Sequence, residues 1–132
     1  MLRLIAIWIK LSLKTEEKMN ETKCPLCAQV ANLTLEKDQL NIVYESDRVL
    51  AFHSTRPFAE VHIIVISKQH IPTIFDIGND DDDLKLEFLK VIRLASQEII
   101  RLKGACKVEM YLGEFQQVQH LHCHVIYDSS ID

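Results

Sequence analysis

The stretch "QHLHCHVIY", residues 119–127, places three histidines at every second position. Successive side chains of a β-strand point to opposite faces, so this alternation predicts a strand. On that strand His120, His122 and His124 share one face, and the apolar residues between them share the other. A helix would instead spread the three imidazoles around its axis. The β-branched and aromatic residues at 125–127 also favour the strand.

The apolar runs upstream predict the rest of a sheet. "NIVYESDRVLAFHS" has two such runs around Glu-Ser-Asp, which predicts a hairpin with strands near 42–45 and 48–53. "VHIIVISK", residues 61–68, predicts a third strand in a central position, and "KVEMYLGE", residues 107–114, predicts a fourth. With the histidine strand, we expect an antiparallel sheet of about five strands.

One long helix is predicted between the third and fourth strands, at 84–103. Four acidic residues, 80–83, precede it; they could suggest a metal site, but acids are typical of a helix N-terminus, whose dipole they stabilise. Gly104 suits the position just after the helix. Apolar residues three or four apart predict a buried stripe: Phe88, Leu89, Ile92, Ala95, Ile99 and Leu102. With a shorter N-terminal helix, these elements predict an α+β fold whose helices pack on one side of the sheet.

The composition limits the possible functions. The 132 residues, 48% of them apolar, suffice for one domain with its own core. The net charge of −4 is unlike that of nucleic-acid-binding proteins, so we expect no nucleic-acid partner and only small-molecule nucleotides. Four cysteines, two of them in "CPLC", are typical of a metal site in a reducing compartment, which predicts a cytoplasmic protein.

Residues 1–18 are interpreted as an N-terminal extension and residues 19–132 as the folded domain. "MLRLIAIWIKLSL" is apolar, but Lys10 interrupts it and it is too short to cross a bilayer. It is compatible with a packed or frayed terminus, with a non-native leader before a start at Met19, or with a helix on a membrane surface. The first is the commonest, so we expect no membrane partner.

Three histidines on one strand face have chemical uses that a single histidine rarely has. Alternate side chains lie roughly 7 Å apart, so imidazolium charges would repel and at least one histidine stays neutral near pH 7. A neutral imidazole can attack phosphorus while its neighbours donate protons to the leaving group. It can equally bind zinc through a ring nitrogen.

The pair Cys24-x-x-Cys27 has the spacing of two zinc ligands. The sequence has no second such pair, so the remaining ligands would be histidines. The candidates are His53, His62, His70 and the three histidines of the last strand. The alternative is a redox pair, which normally lies between a strand and a helix of a thioredoxin-like fold, an order not seen here.

Three motifs together resemble the histidine triad (HIT) superfamily over about residues 24–127. "HLHCHVI" is similar to its signature H-φ-H-φ-H-φ-φ, where φ is apolar, and "CPLC" is similar to the paired cysteines of many bacterial members. "VYESDRVLAFHSTRPFAEVHIIVISKQHI" is similar to the family's hairpin, proline loop and following strand, with Ser67 where a proline is usual.

The resemblance implies a function and a set of site residues. Family members are nucleotide hydrolases or transferases, generally homodimers, that act at the α-phosphate of nucleoside phosphoramidates, dinucleoside polyphosphates or other adenylated compounds. By resemblance His122 is the nucleophile that forms a nucleotidyl-histidine, His124 lies against the phosphate, and His62 completes the pocket. A structural zinc ion is implied, with ligands Cys24, Cys27, His70 and His120.

The nucleotide-binding candidates are Phe52, Ser54, Gln116 and Gln117, and several of them depart from the family pattern. Ser54 replaces an aspartate that holds the ribose hydroxyls, and Gln117 replaces a serine that contacts the phosphate or leaving group. Tyr111 or Leu112 replaces an asparagine. The Gln117 amide can still donate, but loss of the ribose carboxylate removes a charge-assisted bond worth about 1.5–3 kcal/mol.

Three functions are therefore compatible with the sequence. The first, which we expect, is a nucleotide phosphohydrolase or phosphoramidase with His122 as nucleophile. The second is a nucleotide-binding or regulatory module of the same fold, motivated by the altered ribose and serine positions. The third is a metal-dependent hydrolase whose histidines hold a catalytic ion.

Overall fold

A computed structural model describes residues 24–32 and 40–129 of the chain. The elements in chain order are α1 (Pro25–Asn32), β1 (Ile42–Glu45), β2 (Val49–His53), β3 (Val61–Ser67), α2 (Asp82–Lys103), β4 (Lys107–Glu109) and β5 (His122–Tyr127). Short 3₁₀ turns lie at Ile74–Asp76 and Gly113–Phe115. The predicted α+β fold, with five antiparallel strands, one long helix and a shorter N-terminal helix, is confirmed. The predicted extension at 1–18 lies outside the described residues.

The five strands form one sheet in the order β1-β2-β3-β5-β4, and every neighbouring pair is antiparallel. The central strand β3 pairs with β2 on one side and β5 on the other. Ile64 lies opposite Phe52 and His124, and Ile66 lies opposite His122. Because residues directly opposite one another share a face, these side chains line one face of the sheet.

Both faces of this sheet are covered, so the expectation that all helices pack on one side is wrong. The five buried residues of α2 pack with the odd-numbered positions of β2, β3 and β5, such as Val65 and Val125. Leu26 of α1 packs on the opposite face with Leu50 and Ile66. The physical reason is that β2 and β3 are apolar on both faces, and each apolar face must be buried.

The start of α2 confirms the interpretation of the acidic run. Asp81 caps the helix by accepting a hydrogen bond from the Leu84 backbone N–H at 3.3 Å. Both oxygens of Asp81 accept from the Arg48 guanidinium, at 2.8 and 2.7 Å, and this pairing lowers the pKa of Asp81 to about 2. Gly104 ends the helix with φ 84°, a conformation that glycine adopts without a Cβ clash. No helix of the described residues is long and apolar enough to cross a membrane.

The buried stripe of α2 differs from the predicted one. Its buried residues are Leu84, Phe88, Val91, Ala95 and Ile99. Leu89 is 63% exposed and Leu102 is 51% exposed. A helix turns by about 100° per residue, so Leu89 points away from the face on which its neighbour Phe88 is buried. The apolar spacing alone did not decide between two adjacent stripes.

Two strand predictions were too long. The fourth strand ends at Glu109, because the chain leaves the edge of the sheet and turns at Gly113, which has φ 65°. The last strand begins at His122, so His120 precedes the ladder instead of lying in it. The predicted ends of the first three strands agree with the structure to within one residue.

We predict that Ile99 and Ile100 differ sharply in their contribution to stability. Ile99 is fully buried against the sheet and Ile100 is 51% exposed. Ile99→Ala should lower the free energy of unfolding by about 2–5 kcal/mol, because it leaves a cavity, whereas Ile100→Ala should cost less than about 1 kcal/mol. Urea unfolding of both variants measures this, and equal costs would contradict the assignment of the buried face.

Candidate active site and metal centre

Four side chains from distant parts of the chain bring possible metal ligands together. Cys24 and Cys27 lie at the start of α1, His70 follows β3, and His120 precedes β5. Their ligand atoms all lie within 4.8 Å of one another. The Sγ–Nδ1 distances are 3.4 Å for Cys24–His120, 3.4 Å for Cys27–His120 and 3.0 Å for Cys27–His70. In a tetrahedral zinc site, bonds of 2.3 Å to sulfur and about 2.05 Å to nitrogen separate the two ligands by about 3.5 Å. The donor set and its spacing therefore fit a metal ion.

The orientation of His120 supports a ligand role. Its Nε2 lies 2.6 Å from the Ser67 carbonyl oxygen, which can only accept, so Nε2 carries the hydrogen. The Nδ1 lone pair is then directed at the two sulfur atoms. A carbonyl that fixes the tautomer of a histidine is the usual support for a metal ligand. Ser67, which stands where a proline is usual, is itself buried and donates through Oγ to the Gln69 carbonyl at 2.8 Å.

The remaining ligand candidates lie elsewhere. His53 is at the end of β2, on the face of the sheet that packs against α2. His62 lies on the opposite face beside His124. Neither belongs to the cluster that the described residues form.

Within residues 24–32 and 40–129, only one of the two ring nitrogens of His122 has a hydrogen-bond partner. Its Nδ1 lies 2.6 Å from the carbonyl oxygen of His120 and must donate to it. In the neutral ring the Nε2 atom therefore keeps its lone pair, and His122 lines a cavity on this face of the sheet. A nitrogen with a free lone pair at a cavity wall can act as a nucleophile.

His62 and His124 form a directed chain of hydrogen bonds. The Phe58 backbone N–H donates to His62 Nδ1 at 3.4 Å, so His62 carries its hydrogen on Nε2. That Nε2 lies 2.8 Å from His124 Nδ1, which accepts. The hydrogen of His124 is then on Nε2, where it is a donor rather than an acceptor.

Burial keeps both of these histidines neutral. His124 is 9% exposed and His62 is 4% exposed. Burial lowers the pKa of His124 to about 4, with help from the neighbouring His122 and His62, and burial also lowers the pKa of His62. Both imidazoles are therefore uncharged hydrogen-bonding groups near pH 7.

The cavity beside these histidines has a volume of about 990 Å³. Three of the four nucleotide-binding candidates line it, namely Phe52, Ser54 and Gln117. Gln116 does not: its Nε2 donates to the carbonyls of Pro72 and Val118 at 2.7 and 2.9 Å, which holds the turn before β5. Pro25, Leu26 and Gln29 of α1 form part of the wall.

Some cavity residues were not selected from the sequence. The Phe58 ring lies 4.2 Å from the ring of His62, and Arg56 and Phe115 also line the cavity. Arg56 and Phe58 lie in the loop between β2 and β3, and only that position next to a candidate histidine could have indicated them.

Tyr111, noted as a departure from the family, lines the cavity with its ring 5.2 Å from that of His124. Its hydroxyl donates to the Glu109 carboxylate, which raises the pKa of Tyr111 to about 12.

Comparison with known proteins identifies the family. The family described as "Scavenger mRNA decapping enzyme C-term binding" matches residues 23–131. A solved HIT family hydrolase from Legionella pneumophila Philadelphia 1 is 25% identical with a TM-score of 0.66, and the match covers 83% of this chain and 96% of that one. The chain belongs to the histidine triad family.

Two further proteins are similar to this chain. A bifunctional adenosine 5'-phosphosulfate phosphorylase/adenylylsulfatase, HINT4 of Arabidopsis thaliana, is 28% identical over 104 residues, 76% of this chain and 67% of the relative. A Zn-bound histidine triad family protein from Mycobacterium smegmatis has a TM-score of 0.68 at 23% identity, covering 85% of this chain and 79% of that one, which shows the shared fold. The chain thus has the fold of the HIT family hydrolases.

We predict that stability falls as the pH drops from about 6.5 to 4, partly through His124. The pKa of its imidazole is about 4 in the folded protein and near 6.5 when exposed, so between these values the unfolded chain binds the proton and unfolding becomes easier. The loss should be about 1–3 kcal/mol. Urea unfolding of the wild type and of His124→Asn at pH 7 and pH 4 measures it. The variant keeps the metal ligands and should show a weaker pH dependence; an equal dependence would contradict the prediction.

Proposed function

We propose that this protein is a histidine triad hydrolase or nucleotidyl transferase that acts at the α-phosphate of a nucleoside phosphoramidate, a dinucleoside polyphosphate or a similar adenylated compound. The observation that carries the proposal is the free Nε2 of His122 at the cavity wall, set by the 2.6 Å hydrogen bond from its Nδ1 to the His120 carbonyl. The Arabidopsis relative is named as an adenosine 5'-phosphosulfate phosphorylase and adenylylsulfatase, and this name supports an adenylated substrate for the present protein.

In the first step, Nε2 of His122 attacks the α-phosphorus. The bond to the leaving group breaks, the leaving group departs with the electron pair, and an amine leaving group takes a proton from solvent. The new nucleotidyl-imidazolium keeps its Nδ1 hydrogen, and the His120 carbonyl dipole stabilises the positive charge.

In the second step, water attacks the same phosphorus and the bond to Nε2 breaks. The proton of the water passes to solvent, a nucleoside monophosphate leaves, and neutral His122 is restored. Attack by another acceptor instead of water would transfer the nucleotidyl group, so the same intermediate serves both kinds of reaction.

His124 contributes a hydrogen bond rather than an acid. With a pKa of about 4, it is neutral near pH 7, and its Nε2–H is available to a phosphate oxygen. His62 holds that orientation through the 2.8 Å contact with His124 Nδ1. From strand spacing alone, the histidines near His122 were expected to donate protons to the leaving group. Because His124 and His62 are buried and neutral, they are better suited to stabilise the negative charge of the phosphate by hydrogen bonding.

We also propose that Cys24, Cys27, His70 and His120 hold a structural Zn²⁺ ion. Four protein ligands leave no position for water or substrate, so the ion would link α1 to the ends of β3 and β5 without taking part in the reaction. The Zn-bound relative supports the identity of the ion. A catalytic ion on the triad is less favoured, because His122 and His124 lie outside this cluster.

Several expectations from the sequence stay predictions. These are homodimer formation, the cytoplasmic location and the division of the chain into 1–18 and 19–132. The edge strand β4 pairs only with β5 among the described residues, which leaves a free edge compatible with a partner.

His122→Ala is expected to lower turnover of adenosine 5′-phosphoramidate by about a thousandfold or more, because it removes the nucleophile itself. Mass spectrometry of acid-free quenched samples should detect a nucleotidyl adduct on the wild type and none on the variant. His53→Ala, at the end of β2 and away from the cavity lining, is the matched control and should keep the wild-type rate. A wild-type rate in His122→Ala would exclude this nucleophile.

Removal of the metal is expected to lower stability before it lowers activity. Purified protein should hold one zinc ion per chain, and a strong chelator should reduce the melting temperature, since metal binding is coupled to folding. Cys27→Ser should bind less zinc and melt at a lower temperature, while Cys106→Ser, outside the cluster, should behave like the wild type. Immediate loss of activity upon chelation, with an unchanged melting temperature, would indicate a catalytic ion instead.

A further inference from the structure

The cavity extends from the histidines of β5 across β3 to the end of β2. His124 lies opposite Ile64, which lies opposite Phe52, and Ser54 follows Phe52 on the same face by alternation. The Ser54 backbone N–H donates to the His62 carbonyl at 2.8 Å, so this serine is beside a histidine of the proposed site. His122 and the turn at 54–56 line the same cavity, so a nucleotide with its α-phosphorus at His122 can extend its ribose towards this turn.

The electrostatic character of this end of the cavity is unusual for a sugar site. Among the described residues, no aspartate or glutamate lines the cavity, and Arg56 is its one side chain with a formal charge. The ion pairs found in the described ranges 24–32 and 40–129 do not involve Arg56. Arg56 is an exposed residue at the cavity wall, where a ligand can reach it.

The turn itself presents further hydrogen-bond donors. The Arg56 backbone N–H donates to Ser54 Oγ at 3.1 Å, which fixes the turn and leaves the Ser54 hydroxyl hydrogen available. Thr55, whose side chain carries a further hydroxyl, also lines the cavity. Pro57 follows and restricts the backbone at the end of the turn.

A ribose with two free hydroxyls and a phosphorylated ribose require opposite surroundings. Free hydroxyls bind best to a carboxylate, which accepts both hydrogens, whereas a ribose phosphate binds to arginine and hydroxyl donors. Dinucleotide-binding folds show the same distinction, with an acid at the free 2′-hydroxyl and an arginine at the 2′-phosphate. Here Ser54 stands where the family has an aspartate, and the cationic Arg56 lies two residues further on.

We propose that the substrate is a nucleotide whose ribose carries a phosphate group at the 2′ or 3′ oxygen, held by Arg56 and the hydroxyls of Ser54 and Thr55. This inference rests on the proposed function, because it places the α-phosphorus at His122. A 2′-deoxynucleotide would also tolerate the absent carboxylate, but it offers nothing for Arg56 to bind.

The test compares four matched substrates with the full-length, zinc-loaded protein. They are adenosine 5′-phosphoramidate, its 2′-deoxy form, its 2′-phosphate and its 3′-phosphate. The kcat/KM of one phosphorylated compound should exceed that of the free diol by about tenfold or more, the effect of one charge-assisted contact. Whichever phosphorylated compound has the higher kcat/KM identifies the ribose oxygen that carries the phosphate in the substrate. Equal values, or a preference for the diol or the deoxy compound, would overturn the proposal.

Three variants assign the preference to the turn. Arg56→Gln should reduce the ratio of the phosphorylated to the diol substrate towards one. Ser54→Asp should reverse the ratio, because a carboxylate repels the ribose phosphate and binds the diol. Arg93→Gln changes the same charge on the exposed side of α2 and should keep the wild-type ratio. An unchanged ratio in both cavity variants would exclude this turn as the ribose site.

Binding measured without turnover separates this inference from the proposed hydrolysis. Isothermal titration of the wild type with adenosine 3′,5′-bisphosphate, adenosine 2′,5′-bisphosphate and adenosine 5′-monophosphate should show about tenfold tighter binding of one bisphosphate. If that preference holds but no phosphoramidate is cleaved, the hydrolase function fails and the ligand class stands. If the diol compounds are cleaved and bind equally well or better, only the ligand class fails. If no nucleotide binds, both fail.

Discussion

The polar contacts of His120 connect the two halves of the site. Its Nε2 donates to the Ser67 carbonyl at the end of β3, which directs Nδ1 at the two cysteine thiols. Its own carbonyl accepts from His122 and so determines which nitrogen of that ring is free. A shift of this one buried residue would therefore alter the metal cluster and the proposed nucleophile together. The three alternating histidines are not equivalent: the first is turned to the cysteines, and the other two face the cavity.

The cavity exists because both faces of the sheet are apolar. The long helix α2 covers one face, and α1 covers only part of the other, over Leu50 and Ile66. The part of that second face that no described helix covers, from His122 to Ser54, is the floor of the cavity, and α1 is one of its walls. The cluster of Cys24, Cys27, His70 and His120 lies where α1 meets the sheet, so an ion bound there would both hold α1 and shape the cavity.

Local patterns in the sequence predicted most of the fold. Alternation located β5, β-branched runs located β2 and β3, and the acids before α2 marked its start, since each depends on neighbours close in sequence. The failures involve tertiary contacts. The face on which α1 packs, and the choice between Leu89 and Val91 as buried residues, depend on elements distant in the chain. For the candidate site, the resemblance named the possible metal ligands that the structure brings together. Arg56 and Phe58 lie in a loop, and only their position near His62 in the sequence could have indicated that they line the cavity.

The sequence distance between the side chains of the proposed metal site has a consequence for the order in which the protein matures. Cys24 and His120 are separated by 96 positions, and a ribosome adds the cysteine long before the histidine. The cluster cannot close on a nascent chain until His120 has emerged, and until then α1 has only its apolar contacts with β2 and β3 to hold it. Completion of the cavity therefore has to wait until both ends of this 96-position separation have been synthesised.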